Sequence, residues 1–485
     1  MRLSRATLPQ VPDAIAAPRE RPEGKIGIVH FGPGAFHRAH QATYIDDLLA
    51  RDPYWGIAAV SLRSAGTVEA LAAQDGLYTL AVRDAEPAMR IIGAHKRFLG
   101  PDDQAEIAAL LADPNVRLVT MTVTEKGYCL RADGTLDMTH ADIVHDLAGE
   151  PPRSIVGWLV AGLAARRAAG VAPFVAMPCD NLASNGRKLH AALVAFAAAR
   201  DADLAAWIAE TVRVPSTMVD SITPASDATL LADVANAIGL DDDAPVQREA
   251  FVQWVIEDIG ADAITALGSV GATLTQDVAS YERAKLRILN GAHSTLAYIG
   301  LLRGATSVAE AMADGPLAAF VAAMIQQDIA PMLTPVPGFD LDAYAEAILT
   351  RFRNPAIVHR LDQIAQDGSQ KLPYRLGDTL VANRQAGRTP DHVVRALGGW
   401  VAFLMARALL AKPDILFLDE ATSAMDETGE AQIYAMLKDY LPEATLISIG
   451  HRSTLRACGR RRRSSCWAAA SICGWASPVP TGNMP

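Results

Sequence analysis

The sequence has few of the residues that hold metals, form disulfides or bind polyanions. Only five of its 485 residues are cysteines, and none has metal-site spacing with the histidines, so no bound metal is expected. Nothing suggests a disulfide framework, which indicates a reducing compartment and hence a cytoplasmic protein. The formal net charge of -10 argues against nucleic acid as a partner.

Targeting and membrane segments are also missing from the sequence as it stands. Residues 1–24 contain no apolar stretch of the signal-peptide type. No uninterrupted apolar run approaches the length of a membrane span, since the stretch from Trp400 to Leu410 is short and Arg407 interrupts it. We therefore expect a soluble chain of two to four domains without a membrane span.

Strand and helix patterns alternate in the first half of the chain, and helical patterns dominate from about residue 281. Apolar strands are predicted at 25–31, 56–62, 118–123 and 173–177, and further strands at 77–83 and 89–93. Helices are predicted between them, including 103–112 and 154–169. Such alternation predicts an α/β fold built on a mostly parallel, doubly wound sheet, followed by a mainly helical domain.

A glycine-rich turn follows the first predicted strand. The strand KIGIVHF leads into GPGAF at 32–36 and then into a predicted helix. Glycines at such a junction let the backbone approach a pyrophosphate, and the helix N-terminus adds partial positive charge. His37 replaces the third glycine of the usual fingerprint, so a plain turn explains the loop equally well. Arg63 stands where an acidic residue usually binds the ribose, which leaves NAD and NADP both open.

The segment KLRILNGAH at 285–293 carries a set of side chains suited to alcohol oxidation. Lys285 offers an amine that can accept a proton, and Asn290 and His293 offer hydrogen bonds to a developing oxyanion. On a straight helix the three positions fall within an arc of about 140°. A surface lysine, a helix-ending Asn-Gly and a satisfied histidine would have the same spacing, and by spacing alone that interpretation is the more frequent.

Several ordered motifs, among them FGPGAFHRAHQATYIDDLL, TVTEKGYC, CDNLASNGR, YERAKLRILNGAHSTLAYIG and QIAQDGSQKLPYR, resemble the mannitol dehydrogenase family. This group of polyol-specific long-chain dehydrogenases includes fructuronate reductase. Residues 1–24 are rich in Pro, Arg and Ala, which predicts an extended segment over the surface. The resemblance covers about 24–404 and implies a Rossmann-like dinucleotide-binding domain over 25–280 and a helical substrate domain over 281–404. It also implies hydride transfer without a metal, with NAD as cofactor and NADP as the open alternative.

The resemblance also assigns roles to individual residues. It makes Lys285 the base and Asn290 and His293 the oxyanion donors. Glu282 lies one helical turn before Lys285, and this spacing allows either a role in tuning the lysine or relaying protons, or an exposed ion pair. The implied substrate contacts are Asn181, Asp220 and Lys371, and Arg375 is a further candidate substrate contact as a cation. The implied cofactor contacts are Gly32, Gly34, Ala35, Phe36, Arg63, Thr124 and Glu125.

Two positions depart from the family pattern and leave the substrate open. Ser221 stands where the family usually has arginine, and Gln363 stands where some mannitol-preferring members carry arginine. Mannitol and fructose are one possible pair, and mannonate and fructuronate are the other. A carboxylate substrate would need a dedicated cation, for which Arg375 and Lys371 are candidates. We expect a monomer or a weak oligomer.

A second signature near the C-terminus resembles different chemistry. LLAKPDILFLDEATSAMDE resembles the back half of an ABC transporter ATPase over about 405–456. In that family Asp419 orients Mg²⁺, Glu420 activates water and His451 contacts the γ-phosphate. No G-x-x-x-x-G-K-[ST] loop occurs in the chain, so a structural strand–helix remnant is favoured over an ATP-binding fragment.

The junction between the two signatures has a physical consequence. The dehydrogenase is expected to lose its terminal helices near residue 405, which would expose apolar surface and allows an inactive chimera as an alternative. The arginine- and cysteine-containing tail at 457–485 resembles neither family, and we expect it to be disordered.

Overall fold

A computed structural model of the protein describes residues 1–19, 24–336, 338–419 and 427–449. The strands in these ranges are β1 Ile26–Phe31, β2 Gly56–Val60, β3 Tyr78–Val82, β4 Ala88–Ile92, β5 His95–Leu99, β6 Leu118–Met121, β7 Val175–Pro178, β8 Thr217–Asp220, β9 Val246–Arg248, β10 Gln253–Glu257, β11 Thr273–Thr275, β12 Ile415–Asp419 and β13 Thr445–Ile449.

The α-helices in the same ranges are α1 Ala35–Ala39, α2 Gln41–Leu49, α3 Gly66–Ala72, α4 Gln104–Ala112, α5 Ala141–Leu147, α6 Ile155–Ala168, α7 Asn185–Ala198, α8 Ala202–Thr211, α9 Ala228–Ile238, α10 Asp262–Gly268, α11 Val278–Ala284, α12 Gly291–Leu302, α13 Val308–Ala313, α14 Gly315–Ala323, α15 Leu341–Phe352, α16 Leu361–Ile364, α17 Gly368–Leu372, α18 Asp378–Gln385, α19 Asp391–Ala411 and α20 Glu427–Tyr440. Three segments are π-helical, at Lys285–Asn290, Met324–Ile329 and Pro373–Gly377.

Five parallel strands form the central sheet in the order β5-β2-β1-β6-β7. In this sheet Val29 of β1 lies between Ala58 of β2 and Val119 of β6. Both faces are covered, by a cluster that includes α4, α6 and α7 on one side and a cluster that includes α2 and α10 on the other. Burial on both faces explains why these strands are short and nearly continuous in apolar residues, and the predicted doubly wound sheet is confirmed.

Two three-stranded sheets lie apart from the central one, which the alternation pattern did not predict. β3 pairs with β4 antiparallel and with β9 parallel, so the strands predicted at 77–83 and 89–93 form a hairpin outside the central sheet. β10 joins β8 and β11 in the second small sheet. The strand β5, which completes the central sheet, has the polar sequence HKRFL and gives no apolar signal.

The first residues of the chain are anchored rather than simply extended over the surface. Leu3, Leu8 and Val11 are buried in a cluster with residues of α9. The Leu3 N–H donates to the Asp241 carbonyl and the Asp241 N–H donates to the Met1 carbonyl. The segment therefore covers apolar surface of the β3-β4-β9 sheet and α9.

The helical part packs around a second core that includes α12, α14 and α15. The straight helix assumed for 285–293 is wrong, because 285–290 is π-helical and α12 begins at Gly291. In a π-turn the backbone bond joins residues i and i+5, so Lys285 and Asn290 lie on nearly the same face. Single π-turns occur frequently at functional sites.

The C-terminal end of the described chain exposes apolar side chains, as the sequence junction predicts. Within α19 only Val393 and Ala396 are buried, whereas Leu410 is 82% exposed and Val401 and Leu404 are about half as exposed. The stretch 400–410 was judged too short to span a membrane, but it belongs to the longer helix α19, which has the length and composition of a membrane span. One such helix is weak evidence for a membrane protein.

After α19 the strands β12 and β13 pair in parallel, with α20 between them in sequence. A small apolar cluster of α20 and β13 residues supports this unit. The backbone of Asp419 ends β12, whereas Glu420, His451 and the predicted tail at 457–485 lie outside the described residues.

Candidate active site

The glycine turn lies at the carboxyl end of β1, where the strand order changes direction between β2 and β6. Gly32 has φ +86, its N–H donates to the Val60 carbonyl, and its carbonyl accepts from Thr122 Oγ1 at 2.6 Å. A Cβ on Gly32 would lie 2.6 Å from the Thr122 carbonyl oxygen, whereas one on Gly34 would meet only the Gly32 carbonyl, at 3.9 Å. The turn therefore presents open backbone at the edge where dinucleotides bind in such sheets.

His37 occupies the place of the missing third glycine, and the structure shows why a bulky residue fits there. Its ring is buried and stacks on His30 at 3.4 Å, and its Nε2 lies 3.0 Å from His95 Nε2. Burial lowers the pKa of both His30 and His95 to about 3. The histidines are therefore neutral at pH 7 and form part of the packing beneath the loop.

The other predicted cofactor residues border the same edge of the sheet. Ala35 and Phe36 begin α1, directly after the glycine turn. Thr124 and the backbone of Glu125 form the 3₁₀ turn that follows β6. Arg63 follows β2 and is 81% exposed, with its Nη2 3.0 Å from an Asp142 oxygen. This arrangement could receive the adenosine half of a dinucleotide, with Arg63 at the ribose end.

Lys285 lies where the π-segment meets the ends of β7 and β8. Its Nζ donates to Asn181 Oδ1 at 2.6 Å and to the Val219 carbonyl. Burial lowers the pKa of Lys285, the charge of Asp220 raises it and that of Arg351 lowers it, with a net decrease. A lysine that loses its proton more easily than usual is suited to act as a base.

Glu282 lies one helical turn before Lys285, on α11. Both of its carboxylate oxygens accept from the Ser184 N–H, at 3.1 and 3.3 Å. Burial raises the pKa of Glu282 to about 7, against the opposing effects of Ser184 and the nearby lysines. The carboxyl group is therefore partly buried and poised to exchange a proton near neutral pH, unlike a surface ion pair.

His293 is buried on α12, with its ring 4.4 Å from Phe352 and 4.8 Å from His359. Burial and the neighbouring charges hold its pKa well below the usual value. Within the described ranges His293 Nε2 has no hydrogen-bond partner. A neutral imidazole with an unpartnered buried nitrogen can donate to a ligand oxygen. Asn290 is partly buried at the end of the π-segment, one turn before His293.

Asp220, at the end of β8, takes part in a buried ionic cluster. Arg351 Nη1 and Nη2 donate to its two oxygens at 3.0 Å each, and Tyr344 donates to one of them at 3.2 Å. Arg351 also donates to both oxygens of Glu249, at 2.7 and 2.8 Å. The side chains of Arg351, Asp220 and Glu249 are 6%, 3% and 3% exposed. Both Asp220 oxygens therefore accept hydrogen bonds from other side chains of the protein. In this conformation Asp220 lies beneath the site.

Arg351, Glu249 and Tyr344 were missed by sequence reasoning. Arg351 begins the segment RFRNPAIVH at 351–359, but nothing in its spacing connects it to Asp220. The two residues are 131 positions apart, and only the folded chain brings them together. An unpaired arginine on a buried helix face is the one sequence signal that could have indicated the cluster.

The two candidate cations for a substrate anion differ in their surroundings. Lys371 Nζ donates to the Gln366 carbonyl at 2.9 Å and lies 3.7 Å from Asp367. Arg375, in the third π-segment, donates to Ser294 Oγ at 3.0 Å, and its buried Nε has no partner among the residues described. Burial lowers the pKa of Arg375, and its charge acts on both Lys285 and His293.

One cysteine lies close to a histidine in the fold, a grouping that the spacing along the sequence did not indicate. Cys129, His140 and Asp142 bring their donor atoms within 4.8 Å of one another. These donors are already engaged, because His140 Nδ1 accepts from the Asp142 N–H at 3.2 Å and the Asp142 carboxylate pairs with Arg63. Burial also raises the pKa of Cys129 to about 11, which disfavours the thiolate that a metal would need.

A glycine loop of the dinucleotide-binding type on a Rossmann-like sheet, with a partly buried lysine from a helical domain at its edge, is the arrangement expected of a nicotinamide-dependent oxidoreductase. Comparison with known proteins agrees with this class. Residues 26–266 match the Mannitol dehydrogenase Rossmann domain and residues 277–413 match the Mannitol dehydrogenase C-terminal domain. The chain belongs to the mannitol dehydrogenase family.

Individual relatives span most of the chain. It is 42% identical over 385 residues to the D-mannonate oxidoreductase of Escherichia coli K12, covering 78% of this chain and 79% of that protein. The mannitol 2-dehydrogenase of Pseudomonas fluorescens, solved as a ternary complex with NAD and D-mannitol, is 37% identical with a TM-score of 0.75, over 83% of this chain and 84% of that one. A substrate-free D-sorbitol dehydrogenase is 34% identical with a TM-score of 0.79, over 83% and 85%.

Proposed function

We propose that the protein oxidises a secondary alcohol of a sugar acid to a ketone, and catalyses the reverse reduction, with Lys285 as the base and without a metal. The observation that carries the proposal is the placement of Lys285 Nζ, which Asn181 and the Val219 carbonyl hold at the junction of the sheet and the helical domain. Burial lowers the pKa of this lysine below its ordinary value, so the amine gives up its proton more easily than an exposed lysine would.

The side chains divide the work of alcohol oxidation. Lys285 accepts the hydroxyl proton while Asn290 and His293 stabilise the oxyanion that develops on the substrate oxygen. A nicotinamide cofactor held by the glycine turn would supply the acceptor for the hydride of the carbinol carbon. Glu282, with a pKa of about 7, passes the proton from Lys285 towards solvent. Asn181 orients the Lys285 amine through its 2.6 Å hydrogen bond.

Arg375 supports a sugar acid such as mannonate as the substrate. Its guanidinium is partly buried beside His293, and Ser294 is its side-chain partner among the described residues. A desolvated cation without a carboxylate partner is stabilised by an anionic ligand, and arginine binds carboxylates with two parallel hydrogen bonds. Lys371 already binds a backbone carbonyl, so we assign it a lesser part. A neutral polyol such as mannitol is the competing substrate.

The cofactor is assigned as NAD, with NADP as the alternative that Arg63 permits. Gly32, Gly34, Ala35 and Phe36 would hold the pyrophosphate end, because the turn offers open backbone at Gly34. Arg63 is exposed at the ribose end, where arginine can accept a 2′-phosphate. We further propose that the protein acts in the cytoplasm as a monomer or weak oligomer.

The experiment is a comparison of kcat/KM for mannonate and mannitol with NAD and with NADP, in wild type and Arg375→Leu. Loss of a charged hydrogen bond to the substrate should lower kcat/KM for mannonate about 10- to 100-fold and affect mannitol much less. Lys371→Met is the matched control and should have a smaller effect on mannonate. Equal losses on both substrates, or mannitol as the better substrate of wild type, would reject the carboxylate assignment.

We assign the β12-α20-β13 unit a structural part rather than ATP hydrolysis. The family matches end at residue 413, and the chain contains no phosphate-binding loop to complete an ATPase site. An ATP titration monitored by calorimetry should therefore show no binding to the full chain. ATP binding that Asp419→Ala abolishes would establish the alternative function.

A further inference from the structure

The ionic cluster beneath the catalytic lysine joins charged side chains from three parts of the chain. Arg351 lies on α15 of the helical part, whereas Asp220 ends β8 and Glu249 follows β9. The guanidinium binds both carboxylates with four hydrogen bonds and lies 4.2 Å from the centre of the Phe251 ring. One cation therefore links two parts of the chain that also meet at Lys285.

The charges that act on Lys285 come from four elements around it. The carboxylates are Asp220 on β8 and Glu282 on α11, and both favour the protonated amine. The cations are Arg351 on α15 and Arg375 in the third π-segment, and both oppose it. His40 is also nearby, because the charge of Lys285 contributes to lowering the pKa of His40. Glu249 is coupled to the same group through Arg351 and Asp220.

We propose that Arg351 is a positioning residue that neutralises Asp220 and Glu249, so that these buried carboxylates do not hold Lys285 in its protonated, inactive form. The inference rests on the proposed function, because it concerns the base of that reaction. Arg351, rather than a substrate hydroxyl, then holds Asp220 in its conformation and compensates its charge.

The net charge of this cluster depends on Arg351. With Arg351 present, two carboxylates and one guanidinium leave a single net negative charge near the lysine. Without it, two negative charges remain in a poorly hydrated environment, and their attraction for a lysine proton is stronger there than in water. A second uncompensated carboxylate is worth about one pKa unit or more on a neighbouring titrating group.

The test is the pH dependence of the oxidation rate in single-charge variants. In wild type the rate should rise with pH as Lys285 loses its proton. Arg351→Gln should move the midpoint of that rise upwards by about one pH unit. Asp220→Asn and Glu249→Gln each remove a negative charge and should move it downwards. Tyr344→Phe, which removes a neutral hydrogen bond to Asp220, is the control and should leave the midpoint in place.

Opposite shifts of the midpoint distinguish an electrostatic role from loss of packing, because packing defects lower the rate without moving the profile in two directions. If Arg351→Gln does not fold, Glu249→Gln and Asp220→Asn decide the question. Unshifted midpoints in these folded variants, with Lys285→Met inactive, would overturn the inference alone. A wild type inactive on sugar acids and polyols, or an active Lys285→Met, would reject the proposed function first and the inference with it.

Discussion

The buried histidines beneath the dinucleotide loop make the protein sensitive to acid in a way that can be calculated. Burial lowers the pKa of His30, His40 and His95 to about 3 each, whereas an unfolded histidine has a pKa of about 6.5. The unfolded chain therefore binds protons that the folded chain refuses as the pH falls below about 6.5. The stability that depends on these neutral histidines is fully present above that pH and is lost progressively as the pH falls towards 3.

The size of the effect follows from the linkage relation. At pH 5 each of the three histidines lowers the free energy of unfolding by about 2 kcal/mol relative to pH 8, about 6 kcal/mol together. Glu282 works in the opposite direction, because its folded pKa of about 7 exceeds the unfolded value of about 4.3, and it adds about 2.5 kcal/mol. The histidines outweigh it, and these groups together predict a net loss of about 3–4 kcal/mol.

Urea denaturation of wild type and His95→Gln at pH 8 and pH 5 isolates one of these contributions. The variant loses packing at both pH values, but it lacks the histidine that takes up a proton only in the unfolded chain. Its loss of unfolding free energy relative to wild type should therefore be about 2 kcal/mol smaller at pH 5 than at pH 8. Phe196→Leu, in the core on the opposite face of the sheet, is the control and should show the same deficit at both pH values. A deficit of His95→Gln that does not change with pH would refute the reasoning.

Three further predictions concern packing and surface. Gly186→Ala should destabilise by about 3 kcal/mol in urea denaturation, because its Cβ would lie 2.5 Å from the Ser216 nitrogen; a stable variant would contradict the close approach. Arg166→Leu should cost about 3 kcal/mol, since Arg166 is buried and donates to four backbone carbonyls, whereas Arg167→Leu, on the exposed face of the same helix, should cost much less. Leu410→Gln should reduce concentration-dependent association in light scattering, and unchanged association would show that the exposed end of α19 is not its cause.

Local sequence patterns were sufficient for the parts of the fold that depend on neighbouring residues. The apolar strands of the central sheet, the glycine turn and the start of the helical domain are each encoded within a few residues. β5 was not predicted, because a strand that completes a sheet can be polar when its neighbours supply the pairing. The small sheets were not predicted either, because strand pairing depends on residues far apart in sequence.

The candidate site shows the same division between local and long-range information. Lys285, Asn290 and His293 were identified within one nine-residue motif, although its π-helical conformation was not, since i+5 hydrogen bonding leaves no spacing signature. Asn181 was expected near the substrate, and the structure adds its bond to Lys285 from 104 positions away. The cluster of Arg351 with Asp220 and Glu249 required the fold, because more than 100 residues separate its partners.

The most direct test of the account is the activity of Lys285→Ala with mannonate and NAD, measured across pH with and without a small primary amine. Removal of the general base should lower kcat/KM about 100- to 10,000-fold and abolish the rise with pH. Added amine should restore part of the rate, because it supplies the missing proton acceptor. A variant that oxidises mannonate at the wild-type rate with the wild-type pH profile would contradict the assignment of Lys285 as the base.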